Sequence, residues 1–290
     1  MFTPSKILEE KLLRMLAEDV GQGDVTTALI VPDGSMAEAR VIAKEDGTIA
    51  GIEEAKILLE SLNIKVGILV KDGMKAKAKQ SLMKISGDAR TILSVERTLL
   101  NLVSRMSGIA TATSKLVEKL EKARSKVKIA CTRKAAPGML YFDKKAVQIG
   151  GGDSHRFHLD DMILIKDNHI SIAGSLEKAI KRAVEKASFS KKVEVEITEP
   201  KDVLVAAKAG ADIIMLDNFS PKQIRTAVDM LKNAGFYGKV LTEASGGITS
   251  ENISEYASTG VNIISLGELT NSAKALDMSL EISEVKQKQG

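Results

Sequence analysis

Residues 193–218 read VEVEITEPKDVLVAAKAGADIIMLDN. Two short apolar runs, VEVEI (193–197) and DIIML (212–216), flank a helical pattern that opens on Pro200 and closes on Gly210. Proline suits the first turn of a helix and glycine the residue that ends one, so the stretch reads as strand, helix, strand. Repeated strand–helix units with buried strands, such as the continuous apolar DIIML, point to a parallel sheet covered by helices.

The same unit recurs on both sides. Strands are expected at VKIAC (127–131), MILI (162–165), KVLTEA (239–244) and NIISL (262–266). Helices are expected at SLEKAIKRAVEKA (175–187), PKQIRTAVDMLKNAG (221–235) and TSENISEYASTG (249–260). Polar residues follow nearly every strand: Thr132-Arg133-Lys134, Lys166-Asp167-Asn168, Glu196, Asp217-Asn218, Ser245-Gly246-Gly247 and Gly267-Glu268. A barrel gathers functional groups from many strands at its C-terminal rim, whereas a doubly wound sheet uses mainly one switch point. The pattern therefore predicts an α/β barrel over residues 113–272.

Residues 1–112 differ. AEARVIAKEDGTIAGI (37–52) and KAKAKQSLMKISGDA (75–89) read as antiparallel strands, and residues 95–123 as a long helix bridging to the barrel. This predicts a separate N-terminal α/β domain, on which the tail 273–290, too short to be a domain, packs back.

Composition narrows the function. The charge of +4 is spread over many Lys and Glu residues, and there are only 9 aromatics, so no nucleic-acid partner is expected. No apolar run approaches the length of a membrane span, and MFTPSKILEEKLLRML at the N-terminus reads as a charged amphipathic helix rather than a signal peptide. A cytoplasmic location is expected, and the single cysteine, Cys131, suits a reducing compartment and excludes an internal disulfide.

Arg133, Lys134, Arg156 and Lys166, with His155, follow or adjoin strands, so a barrel would aim them into one cavity. Arg offers a planar fork and Lys a mobile point charge, and several converging cations call for a polyanionic small substrate. Singly, each would be a solvated loop residue. Two glycine-rich turns, EASGGI (243–248) and SLGELT (265–270), fit a phosphate bound by backbone N–H groups, or are simply tight turns. Glu196 and Asp217 end apolar strands and suit Mg²⁺ shared with phosphates or hydrogen bonds to ribose hydroxyls; the bland alternative is a salt bridge to Lys134 or Lys166. All three histidines, His155, His158 and His169, fall in GGGDSHRFHLDDMILIKDNH (150–169). A zinc site on His155 and His158 lacks further N or S ligands, so His155 reads instead as a donor to an anion, His158 as a loop residue and His169 as an orienting group.

TRKAAPG (132–138), GGGDSHR (150–156), IKDNH (165–169), VEVE (193–196), MLDN (215–218) and EASGGIT (243–249) together resemble the quinolinate phosphoribosyltransferase family. The likeness runs from EDVGQGDVTT (18–27) through ERTLLNLVSRMSGIAT (96–111) to LTNSAKALDMSLEI (269–282). It implies the type II phosphoribosyltransferase fold, an N-terminal α/β sandwich domain with an incomplete α/β barrel, as a homodimer or a hexamer built from dimers. A partner subunit would complete each site with Arg97. The resemblance assigns quinolinate to Arg133, His155, Arg156 and Lys166, with Lys134 reaching quinolinate or phosphoribosyl diphosphate. Glu196 and Asp217 would lie by the ribose and Mg²⁺, and Ser245, Gly246, Gly247 and Gly267 would hold the 5′-phosphate. Lys134, Glu196 and Asp217 are thereby the expected catalytic groups.

The implied reaction gives nicotinate mononucleotide, diphosphate and CO₂, within NAD biosynthesis. This chain has Ala135 where the family commonly has Thr, and Leu140 where it commonly has Arg, changes that bear on affinity or substrate preference. Competing expectations are phosphoribosyl transfer to nicotinate, the pyrophosphorylase-like branch found beside molybdenum transport, and a non-catalytic phosphometabolite-binding protein. Two carboxylates need more cations than one, which favours quinolinate over nicotinate.

Overall fold

The computed structural model describes residues 3–286. In chain order its first elements are α1 (Ser5–Val20), α2 (Val25–Ile30), β1 (Met36–Ala43), β2 (Gly47–Thr48), α3 (Ile52–Ser61), β3 (Lys65–Ile68), β4 (Lys75–Ala76), β5 (Ser81–Asp88) and α4 (Ala89–Lys122). Next come β6 (Lys128–Cys131), α5 (Leu140–Ile149), β7 (Ile163–Ile165), α6 (Asp167–Ala173), α7 (Leu176–Lys186), β8 (Val193–Ile197), α8 (Val203–Ala209) and β9 (Ile213–Asp217). The chain ends with α9 (Pro221–Asn233), β10 (Leu241–Ser245), α10 (Ile253–Ala257), β11 (Ile263–Leu266), α11 (Glu268–Asn271) and β12 (Met278–Lys286).

The described chain forms two compact units, one of residues 3–112, 148–150 and 273–286, the other of residues 113–147 and 151–272. The first two residues of the expected N-terminal domain and the last four of the tail lie outside the described residues.

The first unit is an antiparallel sheet in the order β12-β1-β5-β3, with helices. Along β1 the alternation buries Ala37, Ala39, Val41 and Ala43 and exposes the residues between most of them, as a one-sided sheet requires. The tail supplies β12, paired along β1 from Met36 opposite Lys286 to Ala43 opposite Met278. It covers an edge that would otherwise present unpaired backbone groups. In α4, Ile92, Val95, Leu99, Val103, Met106 and Ala110 make a buried stripe at helical spacing.

The second unit holds six parallel strands in the order β6-β11-β10-β9-β8-β7. The first strand pairs with the last, so the sheet closes on itself except between β6 and β7. Within that gap Asp153 makes only an isolated bridge to Ala130. This is the incomplete barrel. Val193, Val195 and Ile197 of β8 and Ile214 and Leu216 of β9 are buried on one face. The opposite, inward face carries Glu194 and Glu196, then Ile213, Met215 and Asp217, because side chains alternate along a strand.

Two barrel helices escape pattern reading. In α5, Phe142 through Val147 are buried without a break, so no polar stripe reveals the helical period. In α6, seven residues with none buried show no apolar stripe at all.

Candidate functional site

Alternation sets the geometry of the rim. Glu196 is the second-last residue of β8, Asp217 the last of β9 and Ser245 the last of β10, while Lys166 and Gly267 follow β7 and β11 directly. Thr132, Arg133 and Lys134 follow β6. All but Gly267 surround a cavity of about 440 Å³, which Arg133, Lys134, Arg156 and Lys166 enter as cations and Glu196 and Asp217 as acids. His155, Ser245, Gly246 and Gly247 line it as well. Gly267 stands just outside, where a Cβ would come within 3.3 Å of the Lys134 side chain.

Lys134 is tied into this rim by its backbone. Its N–H donates to Thr132 Oγ1 at 3.1 Å, and its carbonyl accepts from Thr270 Oγ1 at 2.7 Å. The side chain stays exposed and able to reach a ligand. Lys166 Nζ lies 3.3 Å from Glu196 Oε2, so the salt bridge weighed for Glu196 exists, at the mouth of the same cavity. The Lys166 backbone N–H donates to His169 Nδ1 at 3.0 Å, which orients the first turn of α6.

Asp217 is the electrostatically perturbed acid of the rim. Burial, and then the nearby Glu196 charge, push its carboxyl above the ordinary value, against the opposing pull of Asn218, Lys134 and Lys166. Asn218 Nδ2 donates to Asp217 Oδ2 at 2.7 Å. The Asn218 backbone, at φ 57°, donates its N–H to the Ser245 carbonyl at 2.8 Å. Gly246, at φ 86°, packs so closely on this turn that a Cβ would collide with Asn218 Oδ1. Gly247, at φ 64°, has open space where its Cβ would be, which leaves the backbone approachable by an anion.

The 153–161 segment follows α5, bridges to β6 at Asp153, and is held at several points. Asp153 Oδ1 accepts the His155 N–H at 2.8 Å, and Asp161 Oδ2 accepts the N–H groups of Phe157 and His158 at 2.6 and 2.9 Å. Arg156 Nη1 donates to the Met162 carbonyl at 3.2 Å. Lys144 Nζ, wholly buried on α5, donates to the Ser154 carbonyl and lies 3.7 Å from Cys131 Sγ.

His155 points into the barrel. Its Nε2 lies 3.3 Å from Glu194 Oε2 and 3.2 Å from Glu243 Oε2, both fully buried acids, while Nδ1 accepts the Arg156 backbone N–H at 2.8 Å. Burial works against a charged imidazole, while the adjacent Glu194 and Glu243 carboxylates favour a proton on Nε2; Nδ1, which accepts the Arg156 N–H, carries none. Burial, followed by Glu243, likewise raises Glu194. His155 and Glu194 thus both favour a bound proton, and their titrations are linked. With Nδ1 accepting, those protons lie on the side shared by Nε2 and the two carboxylates. The ligand atoms are close enough for a cation, but an Nε2 that carries a proton has no lone pair to give one. His158 falls in a different, exposed group with Asp160 and Asp161, so the two histidines of the zinc reading do not form one site.

Glu194 and Glu243 are the functional candidates that motif reading overlooked. Both stand two residues before a rim residue, Glu196 and Ser245, hence on the same inward face, and that period of two was the available signal. Below them lies a second cavity, of about 820 Å³, bordered by Met162, Ile213, Leu241 and Ile263 and again by His155 and Arg156. Arg97 is exposed on α4 and is not among the residues lining the rim cavity.

An incomplete parallel barrel whose rim combines convergent cations, two carboxylates and glycine turns defines a class of proteins built to bind small polyanions. The comparisons with known proteins make it specific. Residues 24–107 match the family described as quinolinate phosphoribosyl transferase, N-terminal domain, and residues 109–281 its C-terminal domain. A probable nicotinate-nucleotide pyrophosphorylase [carboxylating] of Methanothermobacter thermautotrophicus is 45% identical over 272 residues, 94% of this chain and 98% of the relative. The rat nicotinate-nucleotide pyrophosphorylase [carboxylating] is 38% identical, over 88% of this chain and 85% of its own. The solved nicotinate-nucleotide pyrophosphorylase of Francisella tularensis superposes with a TM-score of 0.88 at 38% identity, covering 97% of this chain and 98% of that one. The chain belongs to the quinolinate phosphoribosyltransferase family.

Proposed function

We propose that this protein transfers the phosphoribosyl group of phosphoribosyl diphosphate to quinolinate and decarboxylates the product, giving nicotinate mononucleotide, diphosphate and CO₂. The observation that carries the reading is the convergence of Arg133, Lys134, Arg156 and Lys166 on one cavity that also holds Glu196 and Asp217. Four cations at one mouth match a ligand pair rich in carboxylate and phosphate, and family membership specifies the pair.

Arg133, Arg156 and Lys166 grip the two ring carboxylates and bring the pyridine nitrogen in line with ribose C1. Holding two reactants in register removes much of the entropic barrier. The nitrogen lone pair forms the N–C1 bond as the C1–O bond to diphosphate breaks, and Lys134 stabilises the charge that the diphosphate takes away. Glu196 and Asp217 face the positive charge that develops on the ribose ring. The alkylated ring then acts as the electron sink: the C2–carboxylate bond breaks, CO₂ leaves, and the electron pair left on C2 takes a proton.

Glu196 and Asp217 also fit Mg²⁺. Burial and then the Glu196 charge raise the cost of ionising Asp217, and two carboxylates beside a diphosphate site make the sparse oxygen environment that Mg²⁺ shares with phosphates and water. When bound it would supply charge neutralisation for the diphosphate. Ser245, Gly246, Gly247 and Gly267 cradle the 5′-phosphate through backbone N–H groups. The protein works in the cytoplasm as a homodimer or a hexamer of dimers, with the exposed Arg97 of each subunit completing its neighbour's carboxylate pocket.

The test is turnover by the purified protein with Mg²⁺ and phosphoribosyl diphosphate, offering quinolinate or nicotinate and following CO₂ and nicotinate mononucleotide. Both products from quinolinate alone are expected. Mononucleotide from nicotinate without CO₂ overturns the substrate, and no turnover with either overturns the activity.

A further inference from the structure

His155 stands at the boundary of the substrate cavity, but neither ring nitrogen is turned to it. Nε2 faces Glu194 Oε2 and Glu243 Oε2 at 3.3 and 3.2 Å, and Nδ1 accepts the backbone N–H of the next residue, Arg156, at 2.8 Å. Glu194 and Glu243 are both 0% exposed, and neither carboxylate makes a hydrogen bond of regular geometry, so the imidazole at 3.2–3.3 Å is the polar group they share. Two carboxylates buried with a single shared partner are a costly arrangement, which argues that the partner's placement is what they serve. The imidazole they hold joins them to the Arg156 backbone at φ 52° for His155, the left-handed region that a residue with a side chain seldom occupies unless fixed. On the far side Asp153 Oδ1 fixes the His155 N–H, and Lys144 fixes the Ser154 carbonyl.

We infer that Glu194 and Glu243 are positioning residues: through His155 Nε2 they lock the strained turn that presents Arg156 to the substrate carboxylates. The charged groups around the imidazole are Glu194 from β8, Glu243 from β10, and Asp153 and Arg156 from its own segment, with Arg133 beyond Arg156. The order of coupling is carboxylate, imidazole, backbone, guanidinium. Quinolinate affinity is the quantity at its end, so the inference rests on the proposed function for its kinetic readout. Its spectroscopic readout is independent of turnover.

The kinetic experiment uses the full-length Glu194→Gln and Glu243→Gln proteins, whose amides keep the volume and remove the charge. Circular dichroism and melting temperature establish that they are folded. A rise of at least about tenfold in KM for quinolinate, with the KM for phosphoribosyl diphosphate within about twofold of wild type, is expected of a lock that acts through Arg156 alone. Unchanged quinolinate KM in folded variants overturns the inference, as does an equal rise in both KM values. Should the variants fail to fold, nitrogen-15 NMR of the histidine rings in the wild-type protein decides, with His158→Gln and His169→Gln variants assigning the signals. The lock requires a His155 ring protonated at Nε2, with that proton protected from exchange. An unprotonated Nε2, or one whose proton exchanges freely, overturns it. A wild-type protein without turnover but with the protected Nε2 proton faults the function and leaves the lock standing.

Discussion

Lys144 Nζ donates to the backbone carbonyl of Ser154, the residue that immediately precedes His155. A wholly buried lysine on α5 thereby pins the segment that brings His155 and Arg156 to the cavity. Burial holds its ammonium pKa below the ordinary lysine value, so the folded chain binds this proton less tightly than the unfolded chain does.

Between that lowered value and 10.5 the unfolded state carries more protons, and the contribution of Lys144 to stability rises with pH. Lys144→Met keeps the aliphatic stem and removes the donor. It should cost about 1–3 kcal/mol at neutral pH, as expected for a lost hydrogen bond from a charged group. Urea unfolding at about pH 7 and pH 9 should also show a smaller gain in stability with pH in the variant than in wild type. An identical gain in both proteins would assign the pH dependence to other groups.

Asp217 behaves in the opposite sense. Its folded pKa is raised above 3.8, so its favourable contribution belongs to the protonated form and is lost as pH rises through the folded value. Asp217→Asn should melt at or above the wild-type temperature at neutral pH, while turnover falls by about a hundredfold or more, the pattern of a charge kept for chemistry rather than stability. A lowered melting temperature with retained turnover would remove Asp217 from the mechanism.

Gly246 has no room for a side chain. At φ 86°, with Asn218 Oδ1 where a Cβ would go, Gly246→Ala strains the turn and displaces Asn218. A loss of about 1–3 kcal/mol is expected, together with a rise in KM for phosphoribosyl diphosphate that exceeds any rise for quinolinate. Steady-state kinetics with each substrate varied in turn gives the comparison.

Shared sites make a distinct prediction for Arg97. Arg97→Ala and Lys166→Ala should each be inactive alone. Co-expressed, they form mixed dimers in which one site carries both defects and the other neither. With random assortment, activity should recover to about a quarter of wild type. Recovery no greater than the sum of the single variants would show that each subunit uses its own Arg97.

The strand-helix-strand repeats and the polar residues after each strand were legible because burial and alternation impose local periods on the chain. Arg133, Lys166, Glu196 and Asp217 were found that way, at the ends of VKIAC, MILI, VEVEI and DIIML. Motif resemblance then named the family without any coordinates. The pairing of β6 with β11 joins residues more than a hundred positions apart, and the gap beside it, where Asp153 makes an isolated bridge to Ala130, leaves no local period to read. The same holds for α5, whose continuous burial erases the amphipathic stripe, and for the tail, whose strand is completed only by β1.

Within the site, the sequence alone determined which residue types reach the rim. Only the tertiary structure decided that His155 turns its Nε2 away from the rim to Glu194 and Glu243, and that a buried lysine holds the turn before it. Rim position follows from strand register, a local property. The orientation of a buried side chain follows from the charges that surround it, and those arrive from β8, β10 and α5, which the chain brings together only when the barrel closes.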